Sequence, residues 1–189
     1  KDVRATYETL EIFKHYRYPY ILSTKSDMVA DEKYLELYDP NTTYVQMTIT
    51  TVNELLAKRI EPNACFPHKR LEAIKRINDI GIKAAIRIQP LLPIYPDGTL
   101  SGKYQNRESL KSNYFSFDLV DELIKLKPHC IIAGFLKVYD KKIYNEFADA
   151  GLDLVPFYRM NRKYFSVEEI KLYYSRIKKK CDDAEIKFS

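Results

Sequence analysis

Residues 20–93 alternate between apolar runs of strand length and helical patterns, and this alternation constrains the fold more than any other feature. The stretch reads YPYILSTKSD, then TTYVQMTITT, then EPNACFPHKRLEAIKRINDIGIKAAIRIQPLLP. Strand-helix-strand order of this kind predicts βαβ units and a parallel sheet, hence an α/β protein. In such sheets ligands bind beyond the carboxyl ends of the strands. Each of the three strands carries polar side chains there: Ser23 and Lys25, Gln46 and Thr48, Arg87 and Gln89.

The remaining chain continues the pattern. A first helix is expected over Asp2–Tyr16, with Val3, Leu10 and Phe13 inward, then a strand over Tyr20–Thr24 and a short helix over Asp31–Tyr38. The second strand is expected over Tyr44–Ile49, and Thr51 with Glu54 reads as a capping box for a short helix. A helix over His68–Ile80 places Leu71, Ile74 and Ile77 on one face and ends at Gly81, a favoured cap. The third strand covers Ile82–Gln89, and the Pro, Gly and Tyr-rich stretch 93–113, with Tyr95 and Tyr104, reads as a long loop on its carboxyl side. Further strands are expected over Cys130–Ala133 and Leu154–Phe157, and one more over Glu185–Phe188. Helices are expected over Phe117–Leu126 and Lys141–Ala150, and from a capping box at Ser166 and Glu169 to about Lys179.

No break in composition divides the chain, so residues 1–189 read as one domain. No apolar run approaches the length of a bilayer span, and no secretory segment opens the chain. The start at Lys1 reads as the start of a piece of a longer protein. Cys65, Cys130 and Cys181 stand far apart, with neither the spacing of a zinc or iron–sulfur motif nor a disulfide framework, which fits a reducing cytoplasm. His15, His68 and His129 are equally scattered and read as surface or packing residues, so no metal site is expected. The net charge of +5 is mild. Its one cluster, Arg176 and Lys178–Lys180, reads as a solvated helix end, where cations suit the helix dipole, ahead of a nucleic-acid contact.

Strand alternation decides which side chains meet. Val45, Met47 and Ile49 share a face, and Gln46 and Thr48 the other; Ala84, Ile86 and Ile88 oppose Ala85, Arg87 and Gln89. If the sheet curls, the polar faces line its interior, where Lys25 and Arg87 need a carboxylate, a ligand or water. Structural readings stand beside the functional ones: Lys25 capping a neighbouring helix or pairing with Asp27, Thr48 serving a strand interior, Arg87 pairing with Glu61, and Gln89 bonding backbone.

The order TKSD, a strand with Thr48, EP, a KRLEAI helix ending in GI, and a strand running into QPLLPIYPDG resembles the radical S-adenosylmethionine enzymes of the spore photoproduct lyase group, including the DNA repair photolyase-like relatives. The resemblance spans about residues 2–98 and continues weakly through IIAGFLKVYD. It implies a partial (β/α) TIM-like barrel whose CxxxCxxC loop binds a 4Fe-4S cluster. S-adenosylmethionine on that cluster would be cleaved to a 5′-deoxyadenosyl radical that takes hydrogen from substrate. By the same resemblance Lys25 matches a lysine on the amino-acid part of the cofactor and Thr48 a residue on its ribose. Gln89 stands at a strand-end position beside the cofactor, usually a small residue before proline, with Arg87 one step deeper. The cluster loop and the cysteine hydrogen donor would precede Lys1. The expected activity is that of a radical S-adenosylmethionine lyase acting on DNA or a related substrate, with this segment alone inactive. The alternative is a cluster-less (β/α) barrel enzyme or binding module for an anionic small ligand.

Overall fold

The structure, a computed structural model, describes residues 3–92, 117–136, 140–149 and 167–189. Among the described residues, five strands form one sheet in sequential order, and every adjacent pair is parallel. They are β1 (Tyr20–Thr24), β2 (Thr43–Thr48), β3 (Lys83–Leu91), β4 (Cys130–Phe135) and β5 (Lys187–Phe188). Around them lie α1 (Val3–His15), α2 (Glu32–Leu35), α3 (Glu54–Ile60), α4 (Pro67–Asp79), α5 (Asp118–Ile124), α6 (Lys141–Asp149) and α7 (Val167–Asp183). A 3-10 turn, Asp27–Ala30, follows β1. The expected loop 93–113, the strand 154–157, and Ser166 fall outside the described residues.

Alternation within the strands builds the core. Val45, Met47, Ile49, Ala84, Ile86, Ile88 and Ile131 are all fully buried, and helices α4, α5 and α7 cover them with Ile74, Ile77, Leu123 and Ile177. Burying one such side chain is worth roughly 1.5–3 kcal/mol. The register pairs Ser23 with Gln46, Gln46 with Ala85, and Thr48 with Arg87, so the polar residues fall in rows across the opposite face. Ser23 Oγ donates to Gln46 Oε1 across the first row at 3.3 Å.

The ends of α4 follow their sequence signals. Pro67 occupies the first turn, where its missing N–H costs nothing. Gly81, at φ +78°, closes the other end: its N–H reaches Asn78 O and the N–H of Ile82 reaches Ile77 O, the paired bonds of a Schellman cap. The start of α3 departs from expectation. Asn53 caps it, accepting from Leu56 N at 3.0 Å, while Thr51 Oγ1 accepts from Asn53 N and the Glu54 carboxylate reaches His68 Nδ1. The Thr51–Glu54 capping box therefore does not form, because the asparagine two residues on reaches the helix amides better. The short helix expected over Asp31–Tyr38 is confined to Glu32–Leu35, and the 3-10 turn before it was not expected.

Candidate functional site at the carboxyl ends of the strands

Lys25 lies one residue past β1, and its ammonium meets Glu61 Oε1 at 2.8 Å. Glu61 comes from the loop between α3 and α4 and is nearly buried, 9% exposed against 47% for the Lys25 side chain. Its other oxygen lies 2.7 Å from Arg70 Nη1. No aligned hydrogen bond reaches Glu61 Oε2, so this approach is a contact between charges. Glu61 takes Lys25 and Arg70, so Lys25 is not held by Asp27 and Arg87 is not held by Glu61, against both ion pairs the sequence suggests.

Arg70 was not foreseen as a site residue. It is 1% exposed. Its Nε and Nη2 donate to Cys65 O at 3.0 and 2.8 Å, and Nη1 donates to Thr48 O at 3.0 Å. One guanidinium thus joins the end of β2, the α3–α4 loop and, through Glu61, the end of β1. Cys65 Sγ closes the circuit by donating to Lys25 O at 3.1 Å. A signal was present in the sequence. Arg70, Ala73, Ile74 and Ile77 make one stripe at i, i+3, i+4 and i+7, and a charge on an apolar stripe needs a buried partner.

Burial pushes the Glu61 carboxyl up, but the hydrogen bond from Lys25 and the Arg70 charge outweigh it and leave it below the ordinary carboxylate range. Burial also raises the Cys65 thiol, against the opposing pull of Arg70. Two cations meet the one carboxylate of Glu61, while the Asp27 carboxylate acts on the neighbouring Cys65 thiol, and the exposed part of the cluster is Lys25. A surface pocket of about 470 Å³ opens there, between Thr24–Ser26 and Ile60–Cys65.

The other expected residues form a second group beside it. Arg87 stands opposite Thr48 in the register, and its Nη2 donates to Gln89 Oε1 at 2.6 Å. The Gln89–Pro90 peptide is cis. The Gln89 side chain crosses onto β4 and lies over Gly134, where an added Cβ would come within 3.0 Å of its Cγ, Cδ and Nε2. Lys25, Thr48, Arg87 and Gln89 therefore sit at the carboxyl ends of three adjacent strands. Lys25 is bound to the Thr48 carbonyl through Glu61 and Arg70, Arg87 is bound to Gln89, and only Lys25 of the four lines the pocket described above.

The basic run is occupied. Lys178 and Lys179 pair with Asp182 and Asp183 one turn on, and Lys180 meets both oxygens of Asp121. Among the described residues, no group of three or more His, Cys, Asp or Glu is placed to hold a metal ion. Among them, too, no helix is long and apolar enough to cross a membrane.

The sequential parallel sheet, with polar groups at the carboxyl ends of its strands, is a β/α fold similar to that of solved radical S-adenosylmethionine enzymes. The solved structures that the chain resembles include spore photoproduct lyase with dinucleoside spore photoproduct (TM-score 0.59, 17% identity), over 95% of this chain and 52% of that one. A mutant of the same enzyme with bound AdoMet and the photoproduct reaches a TM-score of 0.63 at 17% identity, with the same coverage. A domain of pyruvate-formate lyase-activating enzyme from Bacteroides vulgatus matches at TM-score 0.52 and 11% identity, over 97% of this chain and 87% of that one. At these identities the likeness is one of fold. In sequence, the uncharacterized protein ORF301 of Acidianus two-tailed virus is 28% identical over 74 residues, 39% of this chain and 25% of that protein. The chain thus spans about half the length of the lyase chains and a quarter of the viral protein. No protein-family model matches.

Proposed function

We propose that this chain binds S-adenosylmethionine at the carboxyl ends of β1–β3, as part of a radical S-adenosylmethionine enzyme. The observation that carries the reading is the Lys25 ammonium: it is the exposed cation of its cluster and lines a pocket at the strand ends of a sheet with this fold. The donors suit that ligand. Lys25 would take the carboxylate of the amino-acid part, Thr48 a ribose hydroxyl, and the Gln89 amide, backed by Arg87, a polar edge of the nucleoside. When bound, such a cofactor supplies hydrogen-atom abstraction; the protein's share is to bind, orient and exclude water.

The described cysteines do not fit an iron–sulfur cluster, since Cys130 and Cys181 are buried and no ligand group forms among the described residues. The proposal accordingly assigns residues 1–189 to one domain and the cluster to a CxxxCxxC segment of the same polypeptide, which the sequence of the whole gene checks. A lyase acting on a DNA lesion or related nucleic-acid substrate is the finer reading, supported by the likeness to spore photoproduct lyase. The α7 basic run lends it no support, because Lys178, Lys179 and Lys180 already hold aspartates. A cytoplasmic setting goes with it, three free thiols suiting a reducing compartment.

Isothermal titration with S-adenosylmethionine, beside a urea melt, tests the proposal. Lys25→Ala should weaken binding about tenfold or more, the value of a charge-assisted hydrogen bond. It should shift stability by less than about 1 kcal/mol, because Lys25 is half-exposed and Arg70 remains beside Glu61. Unchanged affinity would overturn the cofactor role of Lys25. The exposed ammonium also favours a second reading, a barrel that binds another anionic small ligand. Saturable binding of a simple carboxylate, with none of S-adenosylmethionine, would decide for it.

A further inference from the structure

We infer that Glu61 and Arg70 are positioning residues that set the Lys25 ammonium relative to the end of β2; the inference deepens the binding site proposed above and rests on it for the ligand. A lysine carries four rotatable side-chain torsions and, left alone at a strand end, samples many of them. Here its ammonium is anchored at 2.8 Å on a carboxylate that cannot itself wander, because that carboxylate is nearly buried and faces Arg70 at 2.7 Å. Arg70 is immobile in turn: it is 1% exposed, and three donor contacts tie it to Cys65 O and Thr48 O. The chain of contacts runs from Lys25 through Glu61 and Arg70 to the backbone of Thr48. It therefore fixes the distance between a cation and a hydroxyl-bearing residue on neighbouring strands. The anchor also faces the pocket, since Lys25, Glu61 and Cys65 all line it.

The charges are arranged for this task more than for stability. A Lys25–Glu61 pair alone would be neutral and would offer an anionic ligand nothing. With Arg70 as the second cation, Glu61 is held without consuming the charge of Lys25. Binding of an anion then meets an ammonium already oriented, with less side-chain entropy to lose.

The experiment has two arms. In the first, purified protein is treated with trace acetic anhydride and the acetylation of each lysine is followed by mass spectrometry. Glu61→Gln should raise the rate at Lys25 by about three- to fivefold, the scale of a partly exposed ion pair, and leave Lys33 and Lys125 unchanged. An unchanged Lys25 rate overturns the inference. This arm needs no ligand, so it decides the positioning role whatever becomes of the cofactor reading.

In the second arm, S-adenosylmethionine affinity is measured for Lys25→Met, Glu61→Gln and the two combined. If Glu61 acts through Lys25, Glu61→Gln weakens binding about threefold alone and adds nothing to Lys25→Met, a non-additive cycle. Additive losses overturn the inference. The pair Glu61→Gln with Arg70→Met guards against misfolding: it removes both buried charges together, keeps the volume, and should give the same raised Lys25 acetylation. Wild-type protein that does not bind S-adenosylmethionine overturns the cofactor reading, and the acetylation ratio still judges the positioning.

Discussion

Arg70 Nη1 donates to the Thr48 carbonyl at 3.0 Å, so a helix residue buried beneath the sheet holds the end of the strand that carries an expected ligand contact. The same nitrogen stands 2.7 Å from Glu61 Oε2. Stability and site geometry therefore meet in one side chain, and the variants below separate them.

Arg70→Met should cost about 3–5 kcal/mol, because it leaves the nearly buried Glu61 carboxylate on Lys25 alone and the carbonyls of Cys65 and Thr48 without their donor. Adding Glu61→Gln to the same chain should recover most of that loss, since the buried charge is gone. Urea denaturation of the single and double variants measures both. A double variant no more stable than Arg70→Met would mean that the backbone bonds to Cys65 and Thr48, and not the charge, dominate.

Glu61 also sets an acid dependence. Its folded carboxyl is held below the ordinary value by Lys25 and Arg70 despite burial. A depressed folded value means that the contribution to stability is complete above the unfolded value, about 4.3, and is lost as pH falls through the lower folded one. Glu61→Gln should flatten this part of the acid slope and leave the slope above about pH 6 as in wild type. Melting midpoints from about pH 6 down to below the unfolded value give the comparison; identical slopes would show that Glu61 is not the group responsible.

Gly134 makes room for Gln89. Gly134→Ala places a methyl 3.0 Å from three atoms of the Gln89 side chain, so the amide must move and its bond to Arg87 must lengthen. The expected cost is about 1 kcal/mol or less, because Gln89 is exposed and its side chain can give way. Combining it with Gln89→Ala should relieve that cost. The side-chain amide resonances of Gln89 report the displacement directly, and an unshifted pair would show that the glycine is not required.

Core and surface apolar residues should part sharply. Ile77 is fully buried on the inner stripe of α4, whereas Leu55 on α3 is 79% exposed. Ile77→Ala should lose about 2–5 kcal/mol. Leu55→Ala should stay within about 0.5 kcal/mol. Equal losses would mean that Leu55 is covered in the protein in solution.

The sequence by itself determined the parallel β/α order and which face of β2 and β3 is apolar, because strand periodicity and helix caps are local properties. Val45, Met47 and Ile49 are buried as alternation requires, and Gly81 ends α4 as its conformational freedom allows. It also brought Lys25, Thr48, Arg87 and Gln89 to one end of the sheet, since a common strand direction aligns all the carboxyl ends. Partner choice was decided by the tertiary structure. Lys25 meets Glu61, 36 residues away, and not Asp27, and Arg87 meets Gln89 on its own strand and not Glu61. Asn53 likewise displaced the expected capping box. For Lys25 the reason is that a charge selects the nearest satisfying group in space, and nearness across elements is set by packing, which no spacing along the chain records; Gln89 and Asn53 lie two and three residues from the groups they bind, and there side-chain geometry made the choice.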